Sequence, residues 1–271
     1  MKKDRIDVLL VEKGIIETRE KAKRTIMAGL VLADGERIDK PGAKVNVDSI
    51  LTLKGKVMPY VSRGGLKLER AIEVFNFDLN NKIVLDIGSS TGGFTDCSLQ
   101  KGAKLVYALD VGYNQLAWKL RQDERVVVME RTNFRYSSVD DFTKGRPEFA
   151  TIDVSFISLQ LILPVLKEII VENSNVSALI KPQFEAGREE VGKKGIIRDR
   201  KIHYNVVKKI VDFCEEIGFS VQGLAPSPIR GGEGNIEFLI HLRLDANEDE
   251  DEVYPEDKIK NVVDEAHQSQ V

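Results

Sequence analysis

The chain has 271 residues, 42% hydrophobic and 31% charged, the composition of a soluble globular protein with one large core or two modest ones. Its apolar runs stop short of the ~18 residues a membrane span needs; the longest, 159–171, is broken by Pro164, Lys167 and Glu168, which argues against an integral membrane protein and makes the cytoplasm the expected location. The net charge of −3 is uneven: residues 1–60 hold 13 Lys/Arg against 9 Asp/Glu, while residues 246–271 hold 2 against 9. A basic head fits either a polyanion-binding module or a solvated helix face, and charge alone does not choose between them.

The head is read as two short helices followed by strands. Ile6, Val8, Leu9 and Leu10 form an apolar stripe that stops at Gly14, a residue type favoured just past a helix end. Thr18 is the expected N-cap of a second helix that turns Ala22, Ile26 and Met27 inward and closes at Gly29. A hairpin with an Asp34-Gly35 turn follows, then strands around Val45, Val47 and 50–53. Residues 54–58 are a short polar connection to a second domain that begins at Tyr60.

From there strands and helices alternate. Strands are expected at 82–87, 105–110, 126–130, 149–154, 176–180, 220–226 and 237–244. Helices are expected from Lys67, and at 92–101, 115–121, 159–172 and 201–217. This rhythm predicts a Rossmann-like doubly wound α/β sheet behind a small α+β domain. Residues 246–271 are read as an acidic, polar, disordered stretch with one helix around 256–266. Cys97 and Cys214 sit in apolar contexts without metal-ligand spacing and are read as buried free thiols.

The segment Asp86-Ile-Gly-Ser-Ser-Thr-Gly-Gly-Phe-Thr95 joins a strand to a helix through a glycine-rich turn. Gly88, Gly92 and Gly93 let a ligand approach the backbone, and the helix N-terminus offers free N–H groups. The spacing is neither GxGxxG nor a Walker loop. Asp86 stands where it would oppose a pyrophosphate but suit a cationic methionine moiety, and Asp110, ending the next strand, can accept from ribose hydroxyls. A charged nucleoside without phosphates, S-adenosylmethionine, satisfies both. The candidate cofactor residues are Asp86, Gly88, Ser89, Ser90, Gly92, Gly93, Phe94, Thr95, Asp110, Val111, Asn133 and Asp153.

The acceptor is narrowed by what is missing. After the fourth strand stands Asp153-Val-Ser-Phe-Ile157, not the Asn/Asp-Pro-Pro-aromatic segment of amine methylation. Neither cysteine falls on a sheet-end loop where a carbon-methylating nucleophile is needed. A hydroxyl acceptor remains, and it requires a base such as a lysine with a neighbouring cation. Lys67, Asp153, Lys181 and Glu237 supply such a set, two of them at strand ends that share one rim of the sheet.

In that order the four residues resemble the Lys-Asp-Lys-Glu tetrad of FtsJ-type ribose 2′-O-methyltransferases. The segments Tyr60-Val-Ser-Arg-Gly-Gly-Leu-Lys67 and Ser227-Pro-Ile-Arg-Gly-Gly-Glu-Gly-Asn-Ile-Glu237 narrow the resemblance to the TlyA, or haemolysin A, family of ribosomal RNA cytidine methyltransferases over about residues 1–245. Residues 5–53 are similar to the S4-type RNA-binding domain, with Asn46-Val-Asp-Ser where Gly-Asp is more usual. The resemblance implies a domain of residues 1–59 that contacts phosphates through Arg5, Arg19, Lys23, Arg24 and Lys40, with Arg63 beyond it, and a methyltransferase domain of residues 60–245. It implies ribosomal RNA or ribosomal subunits as partner. Lys181 would take the proton beside the positive Lys67, with Asp153 and Glu237 orienting the lysines. Segment 185–198 reads equally as a lid or a mobile loop. The rivals are a non-catalytic RNA-binding assembly factor and a membrane-lytic protein.

Overall fold

The computed structural model describes residues 2–54, 58–192, 194–245 and 253–268. The chain divides into two compact units, residues 1–65 and 66–271.

In the first unit a strand β1 (Lys3–Arg5) leads into helices α1 (Ile6–Glu12) and α2 (Arg19–Met27). Four short strands follow: β2 (Val31–Ala33), β3 (Glu36–Ile38), β4 (Lys44–Asn46) and β5 (Leu51–Leu53). They form an antiparallel β3-β2-β5 sheet and a β1-β4 pair. The β2–β3 hairpin turns on Asp34 and Gly35, both at positive φ, as a two-residue primed turn requires. Ile6, Leu10, Ile16, Ala22, Ile26, Val31 and Ala33 make the core. Thr18 caps α2 through Lys21 N. Met27, expected inward, is 53% exposed: the inward stripe runs through Ala22 and Ile26, and one residue further turns the side chain by about 100° away. Most of the connection at 54–58 lies outside the described residues.

The second unit is built on seven strands in the order β11-β12-β10-β9-β6-β7-β8: β6 (Ile83–Ile87), β7 (Leu105–Leu109), β8 (Val126–Met129), β9 (Phe149–Ile152), β10 (Asn175–Ile180), β11 (Ser220–Pro226) and β12 (Phe238–Arg243). The five central and β8-side strands are parallel, and β12 runs antiparallel to both β10 and β11. Chain order reverses between β6 and β9, the switch point at which ligands bind in such sheets. Six helices accompany the strands: α3 (Gly64–Phe75, which begins at the unit boundary), α4 (Gly93–Gln100), α5 (Trp118–Arg121), α6 (Leu163–Ile169), α7 (Pro182–Glu185) and α8 (Arg200–Glu216). The helix expected at 159–172 is instead a 3-10 turn, Leu159–Leu161, followed by α6. Pro164 has no N–H to give an earlier turn, so an α-helix can only start around it.

A last helix, α9 (Glu256–Gln268), stands where one was expected, but the segment read as disordered is here an ordered part of the core. Ile259, Val262, Val263 and Ala266 join the main core beside Val206, Ile210 and Val211 of α8, and Lys208 pairs with Glu256 at 3.1 Å. Its charges lie on one face and its apolar residues at helical spacing on the other, which average composition hides. Residues 246–252, the densest acidic run, lie outside the described residues. Cys97 and Cys214 are both buried.

Candidate active site

The glycine turn leaves β6 at the switch point. Gly88 has φ +87°, and a β-carbon there would stand 2.6 Å from the Asp153 carbonyl oxygen of the neighbouring strand, so only glycine allows the two strand ends to meet. Gly92, the N-cap of α4, has φ +97° and faces Leu120 as closely. The turn is stitched to the end of β7: Gly88 and Ser89 donate to Leu109 O at 2.9 and 3.0 Å. Asp110 accepts from Ser90 N at 2.8 Å and from Gly112 N at 2.7 Å. With both oxygens anchored by backbone, the carboxylate keeps one orientation and has lone pairs left for further donors.

These strand ends line a cleft of about 460 Å³. Of the candidate cofactor residues, Gly88, Ser90, Asp110, Val111, Asn133 and Asp153 line it. Asp86 is fully buried instead, its carboxyl accepting from Thr95 Oγ1 at 2.6 Å and Thr151 Oγ1 at 3.1 Å. Burial lifts its pKa to about 7 against the pull of those hydroxyls. Ser89, Gly92, Gly93, Phe94 and Thr95 are buried as well and shape the turn without lining the cleft.

The four charges expected to converge do so. Lys67 Nζ, carried by α3, bonds Glu237 at 2.7 Å and Asp153 at 3.2 Å. Lys181, just past β10, bonds the other oxygen of Asp153 at 2.6 Å and Ser155 Oγ at 3.1 Å. Burial works against the charge on Lys67, but the two carboxylates outweigh it and hold its pKa above the ordinary value. Asp153 likewise stays below the usual carboxylate range, because two lysines overcome its burial. The result is a closed cage in which Lys67 is fixed as a cation beside Lys181.

A second cleft, of about 340 Å³, opens on the far side of Lys181 and Glu237 and shares Ser155 and Phe156 with the first. Phe156 is 90% exposed at φ +64°, a backbone state costly for an aromatic residue, and its ring lies 4.8 Å from that of Phe184. Asn235, 3% exposed, ties two loops of this cleft. Its amide nitrogen donates to Gly195 O at 2.8 Å and Gly232 O at 3.1 Å, and its oxygen accepts from Ile197 N at 3.0 Å. Segment 185–198 is thus pinned near its end. Glu185 is buried and accepts from Ser158 Oγ at 2.5 Å and Leu159 N at 2.8 Å, bracing the loop that carries Ser155 and Phe156. Ser155, Phe156, Glu185 and Asn235 were not among the sequence candidates. Ser155 and Phe156 stand in the Asp153–Ile157 segment, Asn235 in the Ser227–Glu237 segment and Glu185 at the start of segment 185–198, so each lay within a stretch the sequence had marked without being singled out.

In the first unit Arg19 and Lys40 are exposed, Arg5 is 44% exposed in its side chain, and Lys23 and Arg24 are half-buried. Arg5 and Arg19 both bond the buried Asp7, a residue the apolar-stripe reading passed over. Arg63 is exposed.

Residues 60–244 match a family model described as FtsJ-like methyltransferase, and residues 4–51 match one described as S4 domain. The chain is 63% identical to a Bacillus subtilis protein provisionally named rRNA methyltransferase YqxC, over 99% of this chain and 95% of the relative. It is 40% identical to the 16S/23S rRNA (cytidine-2′-O)-methyltransferase TlyA of Mycobacterium tuberculosis, over 88% of this chain and 89% of that one. A solved structure described provisionally as a hemolysin from Streptococcus thermophilus superposes with a TM-score of 0.77 at 56% identity, covering 99% of this chain and 97% of that chain. Among the described residues no helix is long and apolar enough to cross a membrane.

Proposed function

The chain belongs to the FtsJ-like methyltransferase family and carries an S4 domain ahead of the methyltransferase fold, and on that premise we propose that it methylates the ribose 2′-hydroxyl of a cytidine in ribosomal RNA. The observation that carries this reading is the cage of Lys67, Asp153, Lys181 and Glu237 standing between two adjoining clefts.

The first cleft suits S-adenosylmethionine. Gly88 brings bare backbone to the ligand, Asp110 offers an anchored carboxylate to ribose hydroxyls, and Asp153 adds negative charge near the sulfonium. When bound, the cofactor supplies an electrophilic methyl group. Asp86, buried beneath the turn, acts by holding Thr95 and Thr151 rather than by touching the ligand.

The second cleft receives the acceptor nucleotide. Exposed Phe156 gives a base a face to stack on, the usual handle on an unstacked RNA base. Lys181 would take the proton of the 2′-hydroxyl as its oxygen displaces the methyl group from sulfur, the carbon–sulfur bond breaking to leave a neutral thioether. Lys67 cannot serve as base because two carboxylates hold its proton; its fixed charge stabilises the developing alkoxide. Asp153 keeps Lys181 aimed, and Glu237 keeps Lys67 in place. Holding oxygen, carbon and sulfur in line supplies the remainder of the rate. The S4 domain would carry the phosphate contacts, which position RNA without reading sequence.

The test is transfer of labelled methyl groups from S-adenosylmethionine to purified small and large ribosomal subunits and to the naked RNAs, with mapping of ribose methylation. Label at cytidine 2′-oxygens is the expected result. Label on bases only, or RNA binding without any transfer, would overturn it, the latter in favour of an assembly factor.

A further inference from the structure

The first unit contains a buried charge that a small RNA-binding fold has no packing reason to keep. Asp7 lies in the first turn of α1, inside the apolar stripe, with no exposed surface. Arg5 closes on it with two bonds, Nε to Oδ1 at 2.9 Å and Nη2 to Oδ2 at 3.0 Å, and Arg19 Nη2 reaches the same Oδ2 at 3.1 Å. The arginine side chains themselves remain 44% and 54% exposed. The bonds from the guanidiniums hold the Asp7 carboxyl at about 2, against its burial.

Two guanidiniums within reach of one oxygen repel each other unless an anion stands between them. Asp7 is that anion. It takes two of Arg5's N–H groups and one of Arg19's and leaves both side chains about half exposed with donors to spare, with a net charge of +1 over the trio. Two guanidiniums held on one carboxylate, with donors to spare, suit a tetrahedral oxyanion such as a backbone phosphate. Because the side chains are already ordered, little rotamer entropy is lost when the anion arrives.

We propose that Asp7 is a positioning residue for RNA binding: it locks Arg5 and Arg19 into a seat for one backbone phosphate. The proposal rests on the RNA-modifying reading above and adds a consequence of opposite sign to simple electrostatics. Neutralising Asp7 raises the positive charge of an RNA-binding surface, which by counterion release alone should tighten binding. Loss of the seat should weaken it.

The experiment measures binding of the full chain to purified ribosomal subunits across a salt series for Asp7→Asn, Arg5→Met/Arg19→Met and the triple variant. Asp7→Asn is expected to weaken binding ~10-fold and to make the salt slope shallower by about one, as for one lost phosphate contact, with S-adenosylmethionine affinity unchanged. In the Arg5→Met/Arg19→Met background the same change should weaken nothing further, since no seat remains to lose. Melting curves set the assay temperature below every transition, and Asp7→Glu, which keeps the charge but displaces it, should also weaken binding. Unchanged or tighter binding by Asp7→Asn and Asp7→Glu overturns the proposal while leaving RNA modification standing. If the double arginine variant binds like wild type, the seat falls with it. Loss of methyl transfer by a protein that binds subunits normally would instead count against the catalytic reading.

Discussion

Replacing Lys181 with methionine keeps the stem and removes the ammonium, and its two consequences separate. The fold should survive. Asp153 loses a partner at 2.6 Å but keeps Lys67 at 3.2 Å, so no carboxylate is orphaned. The cost should lie toward the low end of the ~3–5 kcal/mol for breaking a buried pair, within a stability of about 5–15 kcal/mol. Chemistry should not survive. A positioned general base is worth ~10²–10⁴ in rate, about 3–5 kcal/mol of barrier. Single-turnover transfer of labelled methyl groups to ribosomal subunits reads this loss directly, and calorimetric titration with S-adenosylmethionine shows whether the first cleft is intact. A near wild-type rate in a variant that binds cofactor and RNA normally would refute the assignment of Lys181 as base, and with it the idea that Lys67 is disqualified by its two carboxylates.

Other outcomes follow from single contacts. Gly88→Ala places a β-carbon 2.6 Å from Asp153 O at a positive φ, so the strand ends must part; S-adenosylmethionine affinity should fall at least ~10-fold, about 1.4 kcal/mol, by calorimetry. Glu185→Ala should free the loop bearing Ser155 and Phe156 and lower kcat with cofactor affinity unchanged, and Glu185→Gln, which can still accept from Leu159 N, should restore much of it. Asp86 gives a pH signature. Burial raises its folded pKa to about 7, so it favours the native state below the unfolded carboxylate value of about 4 and loses that support as pH rises through 7, about 4 kcal/mol at most. The unfolding free energy of wild type minus Asp86→Asn should therefore fall from pH 4 to 8, and a flat difference would refute the shift. His203 and His241, pushed down to about 4 by burial, act oppositely: their support is present above the ordinary imidazole value and lost as pH falls through 4. They occur in both proteins and cancel in the difference.

The parts legible in the sequence were those in which one residue type admits one conformation or one chemistry. Gly88 and Gly92 announce a turn because no side chain fits there, and the parallel strands show as apolar runs such as 83–87 and 105–109. Asp153 and Lys181 were expected to meet because they end strands that share one rim of a doubly wound sheet; the part played by Lys67 and Glu237 came through the resemblance. What stayed hidden was tertiary. Asp7 looks like a solvated acid until Arg5, at the end of β1, and Arg19, in α2, close over it. Phe156 holds a positive φ that its neighbours do not encode. The acidic segment 256–268 averages as polar although its apolar residues at 259, 262, 263 and 266 complete the core.

Asn235 has a kinetic consequence. Its three bonds make the 195–197 stretch and the glycine loop before β12 a single piece, and Glu237 leaves that loop directly. The two loops therefore shift together or not at all. Moving the pair moves the support of Glu237, and so loosens the grip on Lys67. On the proposed reading, opening the second cleft and disarming the proton relay would be one event.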